Sequence, residues 1–137
     1  MKFQQNGIEV AASKGKGRGV FATKDISAGS IIEVAPVVIM PEISYEKLEQ
    51  TLLADYLFEN DYDELIMALG YASVYNHSFE PNADWLVSED KIIISALKTI
   101  GSGDEIFIDY GWDPYWYYEK GIITKQQFEQ LLLDEED

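Results

Sequence analysis

The residues of this 137-residue chain best suited to chemistry fall in three short stretches. The only histidine, His77, lies in Tyr75-Asn76-His77-Ser78-Phe79-Glu80-Pro81-Asn82-Ala83, a run dense in amide, imidazole and hydroxyl groups. Further along, Tyr110 closes Gly103-Asp104-Glu105-Ile106-Phe107-Ile108-Asp109-Tyr110-Gly111, and Trp112, Tyr115, Trp116, Tyr117 and Tyr118 follow it at once. Near the start, Ser13-Lys14-Gly15-Lys16-Gly17-Arg18-Gly19 sets three glycines at alternating positions. The chemistry open to these groups is narrow. One histidine without a cysteine makes neither a zinc site nor a thiolate nucleophile. The glycines allow positive φ and close approach to bare backbone, but their spacing matches no P-loop and no glycine motif opening a helix, so a hairpin turn accounts for them equally well. Asn, Ser and Pro favour turns, which leaves a surface loop as the plain reading of residues 75–83. The aromatic cluster is either core or the wall of a shaped pocket.

Composition sets the frame for these stretches. The length predicts one domain that buries most of its unfolded surface without staples. Acidic residues outnumber basic ones 25 to 10, a formal charge of −15 that disfavours nucleic acid and anionic membrane and attracts a basic partner, or else serves solubility alone. The first residues lack the apolar core of a signal peptide and no run is long enough to span a bilayer, which predicts a soluble intracellular protein, cytoplasmic or nuclear.

The elements that must position these groups read as mainly β with a few short helices. Residues 7–12 and 20–23 flank the glycine turn as strands. Residues 30–35 and 37–40, rich in Ile and Val, read as two strands separated by Pro36, an edge or bend signal. Ser44 is a candidate cap for a helix with Leu48, Leu52 and Tyr56 at helical spacing. Residues 56–59 and 64–69 flank Asn60-Asp61 as a hairpin, with a short second helix as the alternative. Gly70 breaks that pattern, and residues 71–75 form a turn that delivers Asn76 and His77 to a loop unsuited to a central strand. Residues 84–87 and 91–96 make a hairpin with an acidic turn, and residues 104–110 a further strand. Thr124 and Gln127 fit a capping box for a last helix that carries Phe128, Leu131 and Leu132 inward.

Taken in order, Gly15-Lys16-Gly17-Arg18-Gly19-Val20-Phe21-Ala22, Asn76-His77-Ser78-Phe79-Glu80-Pro81-Asn82-Ala83 and Gly103-Asp104-Glu105-Ile106-Phe107-Ile108-Asp109-Tyr110-Gly111 resemble the three signatures of SET-domain protein lysine methyltransferases, over roughly residues 8–118. The short, zinc-free form is similar to the compact single-domain members. The resemblance implies a SET-domain, β-clip-like fold of several small sheets with a C-terminal pseudoknot. It implies a domain over residues 1–111, with a helical and hairpin insertion at about 41–69. It also implies that residues 112–137 replace the zinc-binding segment of many relatives. S-adenosylmethionine is the implied methyl donor. The backbone of Lys16, Gly17 and Arg18, with Asn76 and His77, would hold it; Trp112 and Trp116 would stack on its adenine. Tyr110 matches the catalytic tyrosine, and Tyr71, Ile108 and Tyr115 are the implied lysine-channel residues. The implied partner is a basic, lysine-containing protein or peptide, with a homodimer possible and no metal, nucleic acid or membrane. The alternative from another class is a catalytically silent SET-like module that binds a basic peptide. Position 79 is Phe where relatives often carry Cys, and position 108 is Ile where several carry Phe or Tyr, which leaves the degree of methylation open.

Overall fold

A computed structural model describes residues 3–60, 62 and 64–135 of the chain. The first part of the chain forms β1 (Phe3–Gln5), β2 (Ile8–Ser13), β3 (Gly17–Ala22) and the long β4 (Ile31–Pro41). A helical turn α1 (Tyr45–Leu48) and a 3-10 turn (Leu52–Tyr56) lead to the hairpin β5 (Leu57–Glu59) and β6 (Glu64–Ala68). Then come β7 (Asn76–His77), the hairpin β8 (Ala83–Ser88) and β9 (Lys91–Ala96), and β10 (Glu105–Ile108). Two helices close the chain, α2 (Pro114–Glu119) and α3 (Lys125–Glu135).

The strands form two five-stranded sheets, in the orders β1-β2-β3-β10-β7 and β5-β6-β4-β9-β8. In the first, β10 is antiparallel to β3, with Ile106 opposite Val20, and parallel to β7, with Phe107 opposite Asn76 and Ile108 opposite His77. Strand alternation turns Ile106 and Ile108 into the core beside Ile8, Val20, Ile92 and Ile94, all at or below 1% exposure. Each such side chain contributes roughly 1.5–3 kcal/mol of burial. The same alternation turns Glu105 and Phe107 the other way, toward the glycine turn and Asn76, where Glu105 bonds Asn76 and Phe107 carries the Lys16 ammonium on its ring. Loop 78–82 is tied to β10: the Asn82 side chain donates to Glu105 O and accepts from Phe107 N, at 2.9 and 2.8 Å.

Several local expectations are corrected. Residues 31–41 form one strand rather than two, because Pro36 sits where β4 changes partner: residues 31–36 pair with β9 and residues 37–41 with β6, so its missing N–H costs no ladder bond. Asn76 and His77, expected in a loop, form a two-residue parallel strand, since β10 supplies the partner that no neighbouring residue offers. The expected helix from Ser44 stops after Leu48. Ser44 makes no side-chain cap, while the Thr51 hydroxyl donates to Leu48 O at 2.7 Å and its extended backbone ends the turn. The 57–68 hairpin is present, with Asn60 Oδ1 accepting from Tyr62 N and Glu64 N; Asp61 of its expected turn, like Met1 and Lys2, lies outside the described residues. The Thr124–Gln127 capping box forms in both directions, at 2.8 and 3.1 Å. However, α3 buries no residue, and Leu132 is 42% exposed rather than inward.

Candidate active site

Three separated segments converge beside the end of β10. The turn between β2 and β3, closed by Lys16 N donating to Ser13 O, brings the backbone of residues 16–18 against Asn76. Asn76 Nδ2 donates to Arg18 O at 3.0 Å and to Glu105 Oε2 at 2.8 Å, and Ser13 Oγ donates to Glu105 Oε1 at 2.7 Å. Glu105 is therefore the post that ties turn, strand and asparagine together. A Cβ on Gly19 would stand 2.5 Å from Glu105 Oε2 and 2.8 Å from Asn76 Nδ2, so any larger residue there would push these side chains off their shared bond.

Tyr110 lies two residues past β10, and its hydroxyl donates to the Tyr75 carbonyl at 2.8 Å. Burial, with smaller contributions from Tyr56 and Glu105, pushes its pKa up to about 12, so the phenol stays protonated and neutral. His77 fixes the backbone of the same residue: its Nδ1 accepts from Tyr110 N at 3.0 Å. The imidazole is packed between the rings of Phe79 and Tyr117, at 4.3 and 4.2 Å, and its buried Nε2 has no hydrogen-bond partner among the described residues. With Nδ1 accepting, the neutral ring carries its proton on Nε2, and the Nδ1 bond holds the backbone of Tyr110.

Burial lowers the His77 pKa to about 4, with the nearby Asp109 partly opposing the shift. Between pH 6.5 and about 4 the unfolded chain takes up a proton that the folded chain refuses, so stability is lost as the pH falls through that window. The linkage amounts to about 3 kcal/mol. Thermal melts of wild type and His77→Gln from pH 7 to pH 4 should show a steeper decline for wild type; parallel declines would remove His77 from this role.

The aromatic segment closes the site from the other side. Asp113 caps α2 by accepting from Tyr115 N at 3.0 Å, and Pro114 occupies its first turn. That helix drives Tyr117, 1% exposed, onto His77 and Trp112; its hydroxyl accepts from Trp112 N at 2.9 Å and donates to Asp109 Oδ1 at 3.3 Å. Tyr118 in turn stacks on Phe128 of α3 at 5.3 Å. A Lys120–Asp55 ion pair of 2.8 Å links the end of α2 to the 3-10 turn, and its exposure makes it worth well under 1 kcal/mol.

Two cavities meet at this point. One, of about 260 Å³, is lined by Lys16, Gly17, Arg18, Asn76 and the Tyr75 region; the other, of about 660 Å³, by Tyr45, Glu49, Glu59, Trp85, Asp113 and Trp116. Tyr110, Trp112, Asp55 and Leu57 line both, so Tyr110 stands in the wall between them. The structure thus brings together Lys16, Gly17, Arg18, Asn76, Tyr110 and Trp112. Trp116 lies on the second cavity only. His77 is buried behind Tyr110, and Ile108 lies in the core at 0% exposure. Tyr71 and Tyr115 line neither cavity; Tyr71 packs on the core and Tyr115 is 45% exposed, its hydroxyl on Glu119. Sequence reasoning did not single out Tyr56, which lines the smaller cavity with Tyr110, nor Glu105, whose signal was an acid alternating with Ile106 and Ile108 in a strand.

Tyr110 thus stands, its neutral phenol bonded to a main-chain carbonyl, between a cleft backed by residues 16–18 and a groove lined by Glu49, Glu59, Trp85, Asp113 and Trp116. A family model described as SET domain matches residues 17–111. A Schizosaccharomyces pombe protein named histone-lysine N-methyltransferase, H3 lysine-37 specific, is 34% identical over 116 residues, covering 82% of this chain and 78% of its own. The Drosophila melanogaster histone-lysine N-methyltransferase trr is 34% identical over 120 residues, covering 80% of this chain, which spans only 5% of that protein. Among solved structures, a candidate histone methyltransferase of Plasmodium falciparum superposes with a TM-score of 0.66 at 34% identity, covering 82% of this chain and 99% of that one. The chain belongs to the SET-domain family of protein-lysine N-methyltransferases.

Proposed function

We propose that the protein transfers a methyl group from S-adenosylmethionine to the side-chain amine of lysine in a basic protein, with a histone tail as the leading candidate. The observation that carries this reading is the position of Tyr110, its hydroxyl bonded to the Tyr75 carbonyl in the wall shared by the two cavities. The smaller cavity suits the donor. Gly17, at φ +77° with open space where a Cβ would point, leaves backbone free to approach the donor's amino-acid end, and Asn76 Oδ1 stays available once Nδ2 is held by Arg18 and Glu105. Trp112 offers an aromatic face for the adenine. When bound, the donor supplies a methyl group carried on a sulfonium.

The chain's own residues then align and desolvate. Because the Tyr110 proton is directed at Tyr75 O, the phenolic lone pairs remain free to accept weak C–H···O contacts from a methyl group, beside the carbonyl itself. A phenol with a pKa near 12 is no base at neutral pH. The lysine must lose its proton before transfer, and a dry aromatic passage next to a positive centre lowers its pKa without a dedicated base. Holding amine and methyl in line supplies the rest. Glu49, Glu59 and Asp113 on the larger groove favour a basic peptide, and the Trp and Tyr rings there suit a lysine or methyl-lysine cation. In this reading residues 112–133 take the place of a zinc-binding segment, with Tyr117 as the anchor. Action on histones would place the protein with chromatin; among the described residues no helix is long and apolar enough to cross a membrane.

Incubation of the protein with methyl-labelled donor and an array of lysine peptides that includes histone tails, read by mass spectrometry, tests the proposal. Label on lysine in basic peptides is expected; label on none of them would reject it.

A further inference from the structure

Glu33 is a buried acid in the middle of an apolar strand, 6% exposed between Ile32 and Val34 of β4. A carboxylate in that position is costly unless hydrogen bonds replace its water, and an apolar side chain would fill the space at lower cost. Here three donors from separate parts of the chain converge on it. Oε2 accepts from Tyr71 N at 2.8 Å and from Gln5 Nε2 at 2.9 Å, and Oε1 accepts from the Tyr75 hydroxyl at 2.9 Å. The turn lies flush on the carboxylate: a Cβ on Gly70, itself at φ +65°, would stand 2.6 Å from Oε2. Neither cavity is lined by Glu33, so it touches no reacting group. What it grips is Tyr75, a 1%-exposed residue whose main-chain oxygen accepts the Tyr110 hydroxyl and whose next neighbour is Asn76.

We propose that Glu33 is a positioning residue for Tyr110: by fixing the Tyr75 ring and the 70–75 turn, it sets where the Tyr75 carbonyl stands and therefore where the Tyr110 hydroxyl points. The inference rests on the methyl-transfer reading above. A carboxylate that only stabilised the fold would lower melting temperature and leave turnover per folded molecule unchanged. A positioning carboxylate acts on kcat, because a displacement of ångström size at the reacting centre costs on the order of 10- to 100-fold.

The test measures kcat, peptide KM and melting temperature for wild type, Glu33→Gln, Tyr75→Phe and the double variant. Each single change is expected to lower kcat about tenfold with KM within about twofold, and the double variant to match the worse single, since both cut one link. Unchanged kcat in Tyr75→Phe, or losses that multiply in the double variant, would overturn the role. Tyr75→Phe keeps the ring in the core and decides the matter alone if Glu33→Gln does not fold. The same assay separates the two readings: an inactive wild type refutes methyl transfer and the inference with it, whereas an active wild type with a fully active Tyr75→Phe overturns the inference only.

Discussion

Tyr110→Phe is expected to lower kcat by on the order of 100-fold or more while the donor dissociation constant stays within about threefold. The change deletes one oxygen and keeps the ring, which is packed on His77 and Trp112 at 5.1 and 4.8 Å, so the walls of both cavities remain. Two things are lost with the oxygen. The lone pairs proposed to face the transferring methyl group disappear, and the Tyr75 carbonyl loses its 2.8 Å donor. Under the proposed reading, binding of the donor should depend on neither, since the glycine turn and Asn76 would carry it. Single-turnover methyl transfer alongside calorimetric titration with S-adenosylmethionine separates the two effects. Equal turnover in the variant would take Tyr110 out of the reaction; equal loss of binding and turnover would make it a wall of the donor site instead.

Asn76→Ala should strike the other half of the site, raising the donor dissociation constant by about 10- to 100-fold, the range for a hydrogen bond to a charged group. Asn76 is the junction of the three segments. Its removal leaves Arg18 O without its 3.0 Å donor and takes one of two donors from the Glu105 carboxylate, so the glycine turn loses its tie to β10 as well as the proposed contact to the methyl donor. A fall in stability of about 1 kcal/mol accompanies it, since the Arg18 bond is exposed and the part-buried Glu105 keeps its Ser13 donor. Titration with S-adenosylmethionine at a temperature where the variant is fully folded isolates the binding effect. An unaltered dissociation constant would show that the cleft beside residues 16–18 is not where the donor sits.

Much of this arrangement was legible in the sequence because it is encoded locally. The 83–96 hairpin shows as two β-rich runs around Ser88-Glu89-Asp90, and Glu89 adopts the left-handed conformation at φ 58° that such a turn needs. The capping box at Thr124 needs only four residues to be seen. The ordered glycine, Asn76-His77 and Tyr110 stretches pointed to one site across the whole chain. What stayed hidden depends on distant partners. Pro36 reads as a break until β9 and β6 are known to divide β4 between them, and Asn76-His77 reads as a loop until β10 is laid beside it. His77 illustrates the same limit in chemistry. Its type suggests a ligand contact, but its environment of Phe79, Tyr110 and Tyr117 makes its side chain a neutral acceptor for the Tyr110 backbone. Glu33 was unremarkable in a strand-like run; its importance comes from Gln5, Tyr71 and Tyr75 closing on it from three directions.

Diffraction from crystals grown with S-adenosylhomocysteine and a lysine peptide bears most directly on the claim that two cavities meet at one phenol. The account predicts the sulfur in the cleft beside residues 16–18 and Asn76, and the peptide in the groove of Glu49, Glu59 and Trp116. The lysine amine should reach the sulfur past the Tyr110 oxygen and the Tyr75 carbonyl. Both ligands in one cavity, or a lysine amine remote from Tyr110, would contradict it.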